Sequence, residues 1–408
     1  MDVIHDRCAG LDVHKDVIVA CVRTADGKKV HQEVRSFGAT TSELLALSDW
    51  LVEHGVTIVA MEATGIYWRP VWHVLDDVFE LVLANAAHIK NVPGRKTDVN
   101  DATWISDLLA HGLIRASFVP ETSIQELRAL TRTRKQLVRE RSSHVQRIQK
   151  TLEDGNIKLA SVLSDVVGQS GRAMLKAMID GESDPKVLVK LTHSRVAAPR
   201  VEIVEALRGR LSKTHRFLLK LHLDQIDALD AAIASLETEV GALLEPFHAK
   251  ARALTKIPGV AMYSAQVIVS EIGVDMSRFP TSAHLVSWAG LCPKNDESAG
   301  KRRSTRIRKG APWLKTALVT AAWGAVRKKD CYLRSQFNRI KSRRGSKKAI
   351  IAVAASILTA AFYILRDGVD YRELGGNYFD GLDRSKMIAR LVRRLRDLGA
   401  QVDVRATA

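Results

Sequence analysis

The chain has 408 residues, 62 Lys and Arg against 45 Asp and Glu, and a net charge of +17. That length supports two or three domains with cores of their own, and that charge points to a polyanionic partner, nucleic acid before an anionic membrane. The four cysteines, Cys8, Cys21, Cys292 and Cys331, stand far apart without a CxxC, which gives neither a disulfide framework nor a zinc knuckle. With an N-terminus unlike a signal peptide, they imply a reducing cytoplasm. Residues 8–13, 17–22 and 30–37 alternate as three strands, the last two joined by an Asp26-Gly27 turn. Thr41-Ser42-Glu43 opens an amphipathic helix through Leu51, closed at Gly55. Val56 to Glu62 is apolar almost throughout, as in a strand buried on both faces. A helix from Trp68 to Asp77 and a fifth strand from Phe79 to Leu83 follow. Val92-Pro93-Gly94 then turns into a helix N-capped at Thr97, with Trp104, Ile105, Leu108 and Leu109 on its apolar side.

Three meandering strands, helix, strand, helix, strand, helix is a ribonuclease-H-like α/β layout. Its acids fall at informative places. Asp12 lies on the first strand beside Gly10, which permits close approach, and Glu62 ends the fourth strand. Adjacent first and fourth strands would set these two side by side. Asp98 and Asp101, three apart, share a face in the first turn of the late helix, next to Arg95 and Lys96. Taken alone, the helix pair reads as dipole-favoured acids, Glu62 as a solvated strand end and Asp12 as a turn residue. Taken together, four converging carboxylates suit two divalent ions ~4 Å apart, the geometry of in-line phosphoryl displacement. Oxygen ligands with no His or Cys nearby favour Mg²⁺ or Mn²⁺.

Residues 121–250 read as helical. The first part, Glu126 to Leu152, is basic; the later part carries a heptad seam, Leu219, His222, Ile226, Leu229, Ile233, Leu236, Val240 and Leu243, with acidic flanks. The two helices could pair within a chain or between subunits, and His222 would set their register. Residues 155–210 suggest no role. Ile257-Pro258-Gly259-Val260 resembles the turn of a helix-hairpin-helix element, which offers backbone N–H groups to phosphate, though it also suits an ordinary helix–helix turn. The apolar run from Ala349 to Leu365 falls short of a membrane span and reads as a core helix. Between residues 294 and 348 stand eighteen Lys and Arg against three acids, a net +15 that concentrates the chain's charge in one region. Within it Ser298 lies in a loop beside Gly300, followed by Lys301, Arg302, Arg303, Arg306, Arg308 and Lys309. Ser298 could attack a phosphodiester, with the cations stabilising the developing charge, or simply donate a hydrogen bond to a bound phosphate.

These motifs resemble a known family. Gly-Leu-Asp12-Val-His-Lys, Met-Glu62-Ala-Thr-Gly and Lys-Thr-Asp98-Val-Asn-Asp101-Ala match its N-terminal motifs. Ile257 to Val260, Ala289-Gly290-Leu291-Cys292-Pro293 and Ser298-Ala299-Gly300-Lys301 match its C-terminal ones. It is the DEDD transposase family of bacterial insertion sequences, bridge-RNA-guided serine recombinases. The resemblance covers residues 8–120 and 254–365. It implies a RuvC-like domain binding Mg²⁺ through the four acids, and a C-terminal domain whose serine joins covalently to DNA. It also implies a non-coding bridge RNA pairing with donor and target double-stranded DNA, and a tetramer with active sites shared between subunits. Ser304-Thr305 departs from the Ser-Gly of many relatives, and a charged helix from Ser385 to Leu398 extends the chain. The expected organisation is a RuvC-like domain over 1–120, a helical coiled-coil domain over 121–250, a serine transposase domain over 251–370 and a tail helix over 371–408. A homo-oligomer, dimer or tetramer, in the cytoplasm and off the membrane is expected. Two rivals stand beside the recombinase. One is a metal-only nuclease of the Holliday-junction type, in which Ser298 only binds phosphate. The other is a non-catalytic nucleic-acid scaffold, which four intact acids disfavour.

Overall fold

The computed structural model describes residues 3–404 apart from 28, 64, 87, 88, 90, 91, 93–99, 294, 295, 305 and 383. The chain divides into two units, Met1–Val119 and Pro120–Ala408.

In the first unit, β1 (Arg7–Val13), β2 (Val17–Asp26) and β3 (Lys29–Gly38) form an antiparallel meander. The strands β4 (Ile58–Glu62) and β5 (Glu80–Ala84) continue the sheet parallel to β1, in the order β3-β2-β1-β4-β5. Side-chain alternation gives the sheet two apolar faces. Leu11, Val13, Val59 and Met61 face α1 (Thr41–Glu53) and α2 (Trp68–Leu75) in a core with Leu47, Trp50, Leu51 and Leu75. Cys8, Ile58 and Ala60 share the opposite core with Ile105, Leu108 and Leu109 of α3 (Asp101–Ala110). Burial on both sides is why β4 reads as an unbroken apolar run.

The start of α3 differs from the expected one. The cap is Asn100, not Thr97: its backbone is extended (φ −55°, ψ 142°) and its side chain accepts a hydrogen bond from the Ala102 N–H at 2.9 Å. Asparagine is a stronger N-cap than threonine, and it begins the helix at Asp101. Thr97 and Asp98 lie outside the described residues; Asp101 is the first residue of α3.

The second unit is helical. The basic α4 (Thr122–Asp154) and the seam-bearing α6 (Lys213–Leu244) run antiparallel, with ion pairs Arg134–Glu237 and Arg141–Asp230 along their length. The seam therefore has its partner in the same chain. Leu219, Ile226 and Val240 are buried, while Leu229, Ile233 and Leu236 are half-buried. The stretch 155–210, opaque in sequence, closes one end of this pair. Its α5 (Gln169–Asp180) brings Met174, Leu175 and Met178 into a core with Ile148, Leu152, Leu219 and Leu223.

At the other end α4 is latched to α8 (Met262–Ile272). Arg132 donates to both oxygens of the buried Glu271 carboxylate at 2.7 and 2.8 Å, and Arg128 donates to the carbonyls of Ser270 and Glu271. The helix α7 (His248–Leu254), the turn at Ile257 to Val260 and α8 form a helix–turn–helix. Then come α9 (Ser282–Trp288), the hairpin β6 (Asp296–Ser298) and β7 (Lys301–Ser304), α10 (Pro312–Ala325), α11 (Tyr332–Arg344) and α12 (Ser346–Asp367). By length and composition α12 could cross a membrane, but it buries Val353, Ile357, Ala361 and Phe362 at the centre of this unit. A last helix, α13 (Arg384–Asp397), buries none of its residues.

Candidate active site

Two structures carry the candidate residues, one in each unit. In the first, the β1–β4 register pairs Leu11 with Met61, so Asp12 and Glu62 are the next positions along two neighbouring parallel strands. Both continue the side-chain set that begins at Cys8 and Ile58, and so point to the face covered by α3. What brings α3 down onto β1 is Gly10. An ideal Cβ there would lie 2.3 Å from the Ala102 carbonyl oxygen and 2.4 Å from the Ser106 nitrogen. With no side chain between them, helix backbone rests on strand backbone, and Asp101 is carried in the first turn of the same helix. A second tether fixes α3 further along. Asp107 accepts from Arg23 Nε on β2 at 3.0 Å and from Gln32 Nε2 on β3 at 2.7 Å.

Asp98, Arg95 and Lys96 lie outside the described residues. Among the described residues, no group of three or more His, Cys, Asp or Glu stands close enough to hold a metal ion. The donors the fold does bring together, Asp12 and Glu62 at adjacent positions of one sheet face, are hard carboxylate oxygens suited to a hard divalent cation. The expectation of no histidine nearby does not hold. Nε2 of His14 stands 3.0 Å from Asp12 Oδ2. The i, i+2 spacing of Asp-Val-His in an extended segment was the available signal, since alternate residues share a face. The nearby thiols are inert. Burial pushes Cys8 up to about 12 and also raises Cys21, and both sulfurs are engaged with Ser106.

The second structure is the basic hairpin. Ser298 is the last residue of β6 and pairs with Lys301 across a two-residue turn, not in the open loop expected from sequence. Ala299 (φ 49°) and Gly300 (φ 73°) are both left-handed, the backbone of a turn whose twist matches its strands. A Cβ on Gly300 would meet nothing within 4 Å, so the tip has open space beside Ser298. For Ser298, Arg302 and Arg303 only the backbone is described; Lys301, Arg306, Arg308 and Lys309 are exposed. Ser304 Oγ accepts from the Arg306 N–H at 3.2 Å. The root of the excursion is pinched shut. Gly310 lies so close to Ala289 that a Cβ on it would sit 2.5 Å from the Ala289 carbonyl. The bridge between Pro293 and Ile307 and the Lys315 ammonium, which donates to the carbonyls of Arg308 and Lys309 at 3.0 and 2.7 Å, complete the closure. Lys301, Arg306, Arg308 and Lys309 thus stand exposed on an excursion of the chain whose base is fixed.

Comparison with known proteins bears on both structures. A family model described as "Transposase" matches residues 9–157, and one described as "Transposase IS116/IS110/IS902 family" matches residues 251–338. Together they span more than half of the chain. The chain is 28% identical over 309 residues to the "Insertion element IS110 uncharacterized 43.6 kDa protein" of Streptomyces coelicolor, covering 68% of this chain and 73% of that one. It is 23% identical over 359 residues to the "Transposase for insertion sequence element IS1111A" of Coxiella burnetii, covering 85% and 86%.

Proposed function

Because this chain belongs to the DEDD transposases of insertion sequences, enzymes of DNA strand transfer, we propose that it cuts and rejoins DNA with an acidic Mg²⁺ (or Mn²⁺) site and a serine nucleophile, Ser298. The family points to dependence on a divalent metal in general. The observation that carries the finer reading is the register that sets Asp12 beside Glu62 on the face where Gly10 seats the helix of Asp101. In this reading Asp12, Glu62, Asp98 and Asp101 hold the metal, and the sheet is ribonuclease-H-like, of the RuvC kind. The metal supplies charge stabilisation at the phosphodiester. Ser298 Oγ gives up its proton as it bonds to phosphorus, and the strand oxygen leaves with the electron pair of the broken bond and takes a proton. Attack of a strand hydroxyl on the phosphoserine restores the serine and rejoins the DNA. Lys301, Arg302, Arg303, Arg306, Arg308 and Lys309, with Arg95 and Lys96, hold phosphates. The Ile257 to Val260 turn would grip backbone phosphate in the same manner.

The reading includes a bridge RNA as guide and a dimer or tetramer as the working form. It assigns residues 1–120 to the acidic site, 121–250 to a helical coiled coil and 251–370 to the serine chemistry. A labelled donor-junction DNA, incubated with the chain and its guide and run on a denaturing gel, tests it. Asp101→Asn lowers cutting by at least about 100-fold with nucleic-acid binding retained, since disturbing even the support of a metal site costs about 10–100-fold. Ser298→Ala abolishes the protein–DNA adduct, and Ser304→Ala keeps it. An adduct that survives Ser298→Ala and vanishes with Ser304→Ala moves the nucleophile to Ser304. Cutting that needs Asp101 but neither serine leaves a metal-only nuclease.

A further inference from the structure

The sheet of the first unit stops at β3, which pairs with β2 on one side and with no other strand among the described residues on the other. Its residues 29 to 36 are all exposed. Which of its backbone groups face outward follows from the register. The Ala25 N–H donates to the Asp6 carbonyl at 2.8 Å, toward β1, so odd residues of β2 bond toward β1 and even ones toward β3. Even residues of β2 stand opposite odd residues of β3. The N–H and carbonyl groups of Val30, Gln32, Val34 and Ser36 therefore point away from the sheet.

An edge of this kind, broken by neither proline nor a bulge, is a template for another strand. An antiparallel newcomer bonds only where outward groups meet outward groups, and one register of β3 against a second copy of itself does this with matched side chains. With Gln32 opposite Gln32, Val30 faces Val34 and His31 faces Glu33, each twice over by symmetry. The two valines, 47% exposed each, leave water together, and imidazole faces carboxylate. Sliding the register one step one way sets Glu33 against Glu33. Sliding it the other way sets His31 against His31 and Val30 against Gln32. Lys29 and Arg35 meet only at the two ends, where long side chains turn into water.

We propose that two copies of this chain pair antiparallel through their β3 edges, with Gln32 at the two-fold axis, into one sheet of five strands from each copy. Side chains opposed across paired strands share a face. Gln32 donates to Asp107 of α3, so Val30, Gln32 and Val34 lie on the α3 face, the face to which Asp12 and Glu62 point. The pairing thus sets both acidic faces on the same side of one sheet, the two copies of β1 five strand spacings, about 24 Å, apart. It rests on the reading above only for a dimer or tetramer as the working form.

The test is sedimentation velocity of the full chain over a concentration series, with a cross-linking arm. Val34→Pro removes an N–H that points outward and leaves the β2–β3 bonds in place. It deletes one bond from each copy across the axis and weakens association by about 30-fold, with the circular dichroism of the natural chain. If the proline chain does not fold, Val30→Lys/Val34→Lys, which touches no backbone bond, weakens association in its place. Gln32→Cys forms a disulfide-linked dimer on mild oxidation, since residues bonded across the axis have Cα atoms about 5.5 Å apart, within disulfide reach. Ser36→Cys is the control, because the two copies of Ser36 stand about 26 Å apart along the strands and do not link. A natural chain that is monomeric throughout overturns the pairing, and with it the multimeric form. An assembly indifferent to the β3 substitutions, or Ser36→Cys linking as readily as Gln32→Cys, overturns the pairing alone. Cutting lost with Asp101→Asn but undiminished association bears on the acidic site and leaves the edge pairing supported.

Discussion

Gly10→Ala adds one methyl group where strand and helix backbones touch. Its Cβ would lie 2.3 Å from Ala102 O, 2.4 Å from Ser106 N and 3.0 Å from the Ile105 carbonyl carbon, all main chain of α3. No rotamer can swing such atoms aside, so the helix must lift by about 1 Å to restore ordinary van der Waals distance. Asp107, held by Arg23 and Gln32, resists that movement. Overpacking costs about 1–3 kcal/mol, and with backbone on both sides the upper end applies. A loss of about 3 kcal/mol lowers the melting temperature of a unit this size by about 10 °C. Asp101 lifts with its helix, and a misplacement of about 1 Å at a reacting centre costs about 100-fold. Thermal melting followed by circular dichroism, with single-turnover DNA cutting well below the new midpoint, measures both effects. Unchanged melting would refute the seating of α3 on β1. Lowered melting with undiminished cutting would show that the position of Asp101 does not matter to the chemistry.

Glu271→Gln strips the charge that Arg132 and Arg128 surround. Because Glu271 is 1% exposed and Arg132 about a third exposed, the lower end of the buried-pair range applies, about 3 kcal/mol of stability in denaturant melts. A loss below about 1 kcal/mol would mean the latch between α4 and α8 is incidental. His222 packs against His144 between α4 and α6, their Nδ1 atoms 3.3 Å apart. Burial, then the charges of His144 and Arg147, hold its pKa below the ordinary 6.5. The unfolded chain therefore binds more protons below that pH, so stability is full above it and falls as the pH drops through it. Melting at about pH 7.5 and 5.5 should show a larger fall for the natural chain than for His222→Leu, and equal falls would remove His222 from the acid response.

Much of the first unit was legible because local pattern and long-range packing agree there. Alternation marked the meander, an unbroken apolar run marked a strand covered on both faces, and a glycine two residues before an acid marked a close approach. From these the neighbouring positions of Asp12 and Glu62 could be read. The start of α3 was not, because Thr97 and Asn100 are both competent caps by residue type, and it is the Asn100 side chain that accepts from the Ala102 N–H. A heptad seam announces that a partner exists without saying whose. Here charge complementarity with α4 assigns it to the same chain, through Arg134–Glu237 and Arg141–Asp230. The β6–β7 hairpin hid in a run of cations, since its turn needs Ala299 in a left-handed backbone that alanine rarely adopts. Pairs such as Arg23 with Asp107, 84 residues apart, leave no trace in a single sequence.

The helix α4 has a consequence for how such a protein can be inherited. In sequence it is continuous with the α/β unit, and the first family match, residues 9–157, runs through it to its end. In space it is the spine of the other unit, clasping Glu271 on α8 and the Trp313 ring on α10 between its arginines, and closing the core around Leu175 and Leu219. A chimaera joined just after residue 157 would carry an α4 whose arginines were selected against another chain's α8. A chimaera that keeps this packing intact therefore has its join near Val119, well before the first family match ends.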